Sequence, residues 1–320
     1  MNGKKVTNPQ GPLIIAKVGS NAIAAELDDG SQGIVTSRVA DLARGVDAAR
    51  KKGYRVIVVT SGAVAAGMHQ LGMAIRPGID ESNKLSALSA IGQAQLMHQY
   101  SEQFALRGMK VAQTLPTLDD FHRAIVRDHM LATINDILES GCVPIINEND
   151  FTSYSEMRFG DNDIIAVLVG ILTGAEHLVL FTVENGIMSA NPRHDPDAKL
   201  VEEIGELVPE MFDDAQESSA AGSGGVNSKL FAGDLGRYSG IQTAVTHVDS
   251  APELVNIVEG RTPCSRFYPQ NKGSMPIEFA WDIVKSRIEG ADRSDRTDRF
   301  FTVAGYLKTI EGLGSIERYQ

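Results

Sequence analysis

The chain has 320 residues, 42% of them hydrophobic and 22% charged. These are ordinary values for a globular protein with a sizeable core, and they exclude disorder, a fibre or a collagen-like repeat as the main theme. Acidic side chains outnumber basic ones 41 to 30, for a formal charge of -11, so broad binding to nucleic acid or to an anionic membrane is not expected.

Residues 1–12 are polar and end at Pro12 without an apolar stretch ahead of a cleavage site. They read as a flexible N-terminus and not as a secretory signal. The first strand is expected at Leu13–Val18, followed by a helix over Val35–Lys52 and a strand at Arg55–Thr60. A helix over Ser82–Leu106, then strands at Lys110–Leu115 and Val143–Asn147, continue the pattern. Ile164–Leu172 is the longest apolar run. It is about half the length of a membrane span and is flanked by charges, so it reads as a buried helix. Strands at His177–Thr182 and Ile241–Thr246 complete the series.

These strands are continuous apolar runs, as expected for strands covered on both faces of a parallel sheet. Gly53, Gly108 and Gly141 stand just past helices, where a left-handed residue ends the turn. Strand–helix alternation over 13–270 predicts a doubly wound α/β domain. Glu217–Gly225 is rich in small residues and reads as a loop, and Lys285–Arg299 alternates charge sign as a solvated surface does. The rhythm fades after 270, so 271–320 reads as a divergent C-terminal tail. Cys142 and Cys264 are the two cysteines. They fit reduced thiols in a cytoplasmic protein. No zinc-ligand spacing is present, and no metal ligand is assigned.

In an open α/β sheet, ligands gather beyond the C-terminal strand ends. The glycine-rich and polar clusters fall there: Lys17-Val-Gly19-Ser20, Ser61-Gly62-Ala63, Asn147-Glu-Asn-Asp150, Gly160-Asp161-Asn162-Asp163, and Gly222-Ser223-Gly224-Gly225-Val226-Asn227-Ser228-Lys229. Glycine turns let backbone N–H groups approach a phosphate, and helix N-termini add partial positive charge. Lys17 and Lys229 would spread positive charge over a transferring phosphoryl group, with Asp163 the candidate to hold both. Neither the P-loop nor the Rossmann spelling is present. Taken singly, Gly62 and Gly67 could simply allow close helix–sheet packing, and Asp161 could be a helix N-cap.

The order KxGS, VTSGAVAAG, INEND, FGDND and GSGGVNSK resembles the glutamate 5-kinases of the amino acid kinase family, from about residue 13 to about residue 270. The resemblance implies a three-layer αβα sandwich around a mostly parallel sheet of roughly eight strands. It implies phosphorylation of the γ-carboxylate of L-glutamate by ATP with Mg²⁺, giving L-glutamyl 5-phosphate, the first step of proline biosynthesis. Lys17, Lys229 and Asp163 are then catalytic. Ser61, Gly62, Ala63, Asn147, Asp150, Asp161 and Asn162 bind the amino acid. Lys17, Gly19, Ser20, Thr182, Val183 and 223–229 (Ser223, Gly224, Gly225, Val226, Asn227, Ser228, Lys229) bind the nucleotide.

It further implies a homo-oligomer (dimer or tetramer), feedback inhibition by proline, and transient contact with glutamyl phosphate reductase, without nucleic-acid or membrane partners. The chain departs from the family at Val183, where an aspartate is usual, at Asn191-Pro192-Arg193, and at His129, read here as the start of the helix before Val143. The roughly 50 residues after 270 do not read as the RNA-binding-type PUA module found in many relatives. Two alternatives stay open: a kinase of another amino-acid carboxylate, or a non-catalytic ligand sensor on a kinase fold.

Overall fold

The structure, a computed structural model, describes residues 11–27, 30–78, 80–153, 162–190, 195–207, 211, 225–270 and 275–290. Seven strands form one sheet: β1 (Leu13–Val18), β4 (Arg55–Thr60), β5 (Lys110–Thr114), β6 (Cys142–Ile146), β7 (His177–Thr182), β8 (Gln242–His247) and β9 (Ser265–Phe267). Their spatial order is β5-β6-β4-β1-β7-β8-β9. All neighbours run parallel except the β8–β9 pair at one edge. A separate hairpin joins β2 (Ala24–Glu26) to β3 (Gln32–Ile34).

The alternation of β1 divides the core in two. Leu13 and Ile15 face one layer, built from α5 (Ala124–Glu139), α6 (Asn162–Thr173), α7 (Val226–Tyr238) and α9 (Ile277–Gly290). Ile14, Ala16 and Val18 face the other, built from α2 (Thr36–Lys51), α4 (Ser82–Ala105) and α8 (Leu254–Val258). Covering both faces is what makes the strands uniformly apolar. Lys17 follows Leu13 and Ile15 in the period of two, so it points into the α6–α7 layer.

The expected three-layer α/β architecture is present, with seven strands in the main sheet among the described residues. Most expected elements match within a residue or two. Gly53, Gly108 and Gly141 have φ of 93°, 70° and 76°, as helix ends require. The Ile164–Leu172 run lies in α6, buried from Asn162 to Gly170, and no helix among the described residues is long and apolar enough to cross a membrane.

Three readings need correction. The helix before β6 starts at Ala124, so His129 lies within it and not at its start. The short α3 (Ala63–Gln70) was not anticipated: its Ala-Val-Ala-Ala-Gly stretch looks like part of a glycine turn, yet it is a helix against α4. The boundary near 270 is not a boundary of the core. Phe279, Ala280, Trp281, Ile283 and Val284 of α9 are buried in the same cluster as α6, and Arg127 pairs with Glu278. Of the two polar segments, 217–224 and 291–299 lie outside the described residues.

Candidate active site

The described residues of the site segments lie at the C-terminal rim of the parallel strands. Lys17 sits near the end of β1, in register with Val59 of β4 and Leu180 of β7. Its side chain is 1% exposed, and its Nζ lies 2.5 Å from Asp163 Oδ1. Lys229, in the first turn of α7, places its Nζ 3.1 Å from Asp163 Oδ2. The Ser228 hydroxyl is 2.8 Å from the same oxygen and 2.9 Å from the Gly225 carbonyl. Asp163 itself is fully buried in the first turn of α6, where the helix dipole favours an anion.

Burial alone would raise the Asp163 pKa. The charges of Lys17 and then Lys229, with hydrogen bonds from Lys17 and Ser228, outweigh it and hold the carboxyl well below the usual carboxylate range. Two ammonium groups are thus fixed beside one ionised carboxylate. The two lysines and Asp163 together sum to one positive charge, which suits an anion.

Asn162 precedes Asp163 and faces the other way. Its amide Nδ2 donates to Thr60 O at 2.5 Å, to Ser61 Oγ at 2.9 Å and to Asn147 Oδ1 at 2.9 Å. This one side chain ties the ends of β4 and β6 to α6. Asn147 in turn donates to Gln93 of α4 at 2.8 Å. The Asp150 carboxylate accepts from Ser89 Oγ at 2.6 Å, and its carbonyl accepts from Ser86 Oγ. Thr60 Oγ1 lies 2.7 Å from the buried Tyr100 hydroxyl. The α4 helix therefore braces the rim from beneath.

A cleft of about 90 Å³ opens among these groups, lined by Ser20, the turn from Ser61 to Ala65, Arg76, Asn147, Glu148, Asp150 and Asn162. Gly62 has φ of 106°, a left-handed conformation that turns β4 sharply into α3. The α3 N-terminus carries no side-chain cap, and its first residues, Ala63 to Ala65, line the cleft; uncapped N–H groups at a helix start suit an anion. Gly67 and Gly92 set the helix crossing that aims this turn. A Cβ on Gly92 would lie 2.0 Å from Ala63 O, and one on Gly67 would lie 2.0 Å from Leu88 O.

Residues 12–233 match the sequence pattern of the amino acid kinase family. The chain belongs to the amino acid kinase family. Within that family it is 37% identical over 278 residues to the glutamate 5-kinase of Vibrio vulnificus, which covers 84% of this chain and 69% of that one. It is 35% identical over 278 residues to glutamate 5-kinase 1 of Bacillus subtilis, covering 87% and 74%. Among solved structures it resembles carbamate kinase from Giardia lamblia bound to AMP-PNP, with TM-score 0.55 at 16% identity over 82% of this chain and 100% of that one. It also resembles isopentenyl phosphate kinase, with TM-score 0.53 at 17% identity over 79% and 99%. At such identities the structural likeness speaks for the fold alone.

In this amino acid kinase the expected residues form two groups. Lys17, Asp163, Ser228 and Lys229 make one. Ser61, Gly62, Ala63, Asn147, Asp150 and Asn162 make the other, on the cleft. Ser20, expected at the nucleotide, lines the cleft with the second group. Gly19 adjoins Lys17: a Cβ there would lie 3.4 Å from Nζ, an ordinary contact. Thr182 and Val183 end β7 on the same rim, with Val183 41% exposed. Gly225, Val226 and Asn227 form the start of α7. Asp161, Ser223 and Gly224, and Asn191, Pro192 and Arg193, lie outside the described residues.

Sequence reading missed Arg76, Glu148, and the α4 braces Ser89 and Gln93. The last two were legible as polar residues four apart on a helix face that also carries the buried Leu88, Gly92 and Leu96. Arg76 stands in a loop with no motif to mark it.

Proposed function

We propose that this chain is a glutamate 5-kinase: it transfers the γ-phosphoryl group of ATP to the γ-carboxylate of L-glutamate, giving L-glutamyl 5-phosphate and ADP, as the first step of proline biosynthesis. The observation that carries the reading is the buried Lys17–Asp163–Lys229 cluster beside a cleft that holds Asp150, Asn147 and Asn162. A carboxylate oxygen is already nucleophilic and needs no general base. It attacks the γ-phosphorus, the bond from that phosphorus to the β,γ-bridging oxygen breaks, and the electron pair leaves with ADP. No proton moves. The protein's task is to align the two anions and to neutralise the charge they bring together.

In this reading Lys17 contacts the phosphates, Lys229 stabilises the group in transfer, and Asp163 positions both ammonium groups. The first turn of α3 and the Ser61 hydroxyl receive the γ-carboxylate. Asp150 accepts the substrate ammonium, and Asn162 and Asn147 set the distance between the two ends. Gly19, Thr182, Val183 and the start of α7 border the nucleotide. Magnesium bound to the ATP phosphates would supply further charge neutralisation there. Among the described residues no three His, Cys, Asp or Glu side chains gather into a metal site. Assembly into dimers or tetramers, inhibition by proline, hand-over of the labile acyl phosphate to the reductase of the next step and a cytoplasmic location belong to the same proposal.

The test is ADP release by the purified protein with Mg-ATP, with and without L-glutamate, in hydroxylamine to trap the acyl phosphate as a hydroxamate. Glutamate-dependent ADP and hydroxamate in equal amounts are expected. ADP that depends on a different amino-acid carboxylate, or Mg-ATP left unbound in calorimetry, overturns the reading in favour of another acceptor or of a sensor.

A further inference from the structure

Arg76 belongs to none of the motifs. It lies in the loop between α3 and α4, and it is the only cationic side chain among the described residues lining the cleft. The two carboxylates that share this cleft are already held by serines. Asp150 accepts from Ser89 at 2.6 Å, and Glu148 Oε1 accepts from Ser153 Oγ at 2.7 Å. No hydrogen bond or ion pair joins the Arg76 guanidinium to another described residue. Arg76 is exposed at the cleft, and the negative charge of Asp150 bears on its guanidinium, which fits a position on the Asp150 side.

The remaining cations of the site are committed elsewhere. Lys17 and Lys229 both sit on Asp163, at the end where the phosphoryl group is transferred. An α-amino acid brings two charges on its Cα, an ammonium and a carboxylate. The ammonium is served by Asp150. The carboxylate calls for a fork of N–H donors, and a guanidinium offers that fork bidentately where an ammonium does not.

We propose that Arg76 is a specificity-determining residue that pairs with the α-carboxylate of the acceptor, so that a dicarboxylic amino acid binds with its α-carboxylate at Arg76 and its γ-carboxylate at Ser61 and the first turn of α3. This rests on the proposed phosphorylation of glutamate and assigns within it a role that no motif of the chain marks. It also adds a second anchor to the direction of binding that Asp150 sets through the substrate ammonium.

The experiment compares wild type, Arg76→Gln and Arg76→Lys with two acceptors, L-glutamate and its α-amide, L-isoglutamine, read as hydroxamate. Both acceptors keep the reacting γ-carboxylate, and only glutamate keeps the α-carboxylate. For Arg76→Gln the KM for glutamate is expected to rise about 10- to 100-fold, the value of a charge-assisted pair. Its kcat should stay within about threefold, and its preference for glutamate over isoglutamine should collapse towards one. Arg76→Lys should recover part of that preference. A unfolding midpoint equal to wild type excludes a folding defect, since Arg76 stands on an exposed loop.

If Arg76 only balances the charge of Asp150, both acceptors weaken alike in Arg76→Gln and the ratio is kept, which overturns the inference. An unchanged KM for glutamate overturns it too. Wild-type protein inert toward glutamate overturns the underlying reading instead, and the inference with it.

Discussion

Lys17 and Lys229 take different oxygens of one carboxylate, Asp163, at 2.5 and 3.1 Å. One lysine comes from the first strand and the other from α7, and neither is more than slightly exposed. A buried ammonium is costly unless paired. Here each is paired with Asp163, so the carboxylate holds two cations at one place on the rim.

Removing Lys229 takes away a charge that acts on the group in transfer, and leaves Asp163 paired with Lys17. Lys229→Ala is expected to lower kcat on the order of 100-fold or more. Its far-ultraviolet circular dichroism should match wild type. Near-normal turnover in the hydroxamate assay would sink the catalytic role.

Asp163→Asn removes the carboxylate that the two buried lysines share. A loss of about 3–5 kcal/mol is expected from removing one partner of a buried ion cluster, together with a fall in kcat. The pH dependence gives a separate check. The folded Asp163 carboxyl lies below its ordinary value of 3.8, so the unfolded chain binds the proton more tightly. Its contribution to stability is complete above about pH 4 and drains away as the pH falls below that value. The gap in unfolding midpoint between wild type and Asp163→Asn should therefore narrow from pH 6 to pH 2. A gap that stays constant over this range would contradict the assignment.

Gly92 permits the close crossing of α3 and α4. Gly92→Ala forces a methyl to within 2.0 Å of Ala63 O, and the helices must part. A loss of about 1–3 kcal/mol is expected, with a raised KM for glutamate because α3 carries one wall of the cleft. Gly205→Ala is the control. A Cβ there meets nothing within 4 Å, so stability should hold within about 0.5 kcal/mol. Equal midpoints for the two variants would show that the crossing tolerates a Cβ.

Trp281 is 3% exposed and packs with α6, its ring centroid 5.7 Å from that of His122. Trp281→Ala is expected to cost about 3–5 kcal/mol. A chain ending at residue 270 should unfold at a lower temperature than the full chain. If its melting curve matches that of the full chain, α9 is an accessory and not part of the core.

The sequence alone determined the strand–helix alternation, because strands covered on both faces must be apolar throughout and cannot be mistaken for amphipathic ones. It also marked the rim, because glycine turns and short polar clusters after strands have few other uses. Lys17, Asp163 and Lys229 could be named from their motifs, but not their contact, which depends on β1, α6 and α7 meeting at one end of the sheet. Tertiary packing alone decided the rest. Gly67 and Gly92 act through backbone approach between two helices, which no local spelling encodes. Ser89 and Gln93 look like interruptions of an apolar helix face until Asp150 and Asn147 arrive above them. Arg76 gains its meaning only when folding brings it to the cleft, since a single arginine among 30 basic residues carries no signal of its own. Trp281 shows the same limit in the core: the rhythm of the chain had faded, yet the face of α6 still needed covering, and α9 covers it.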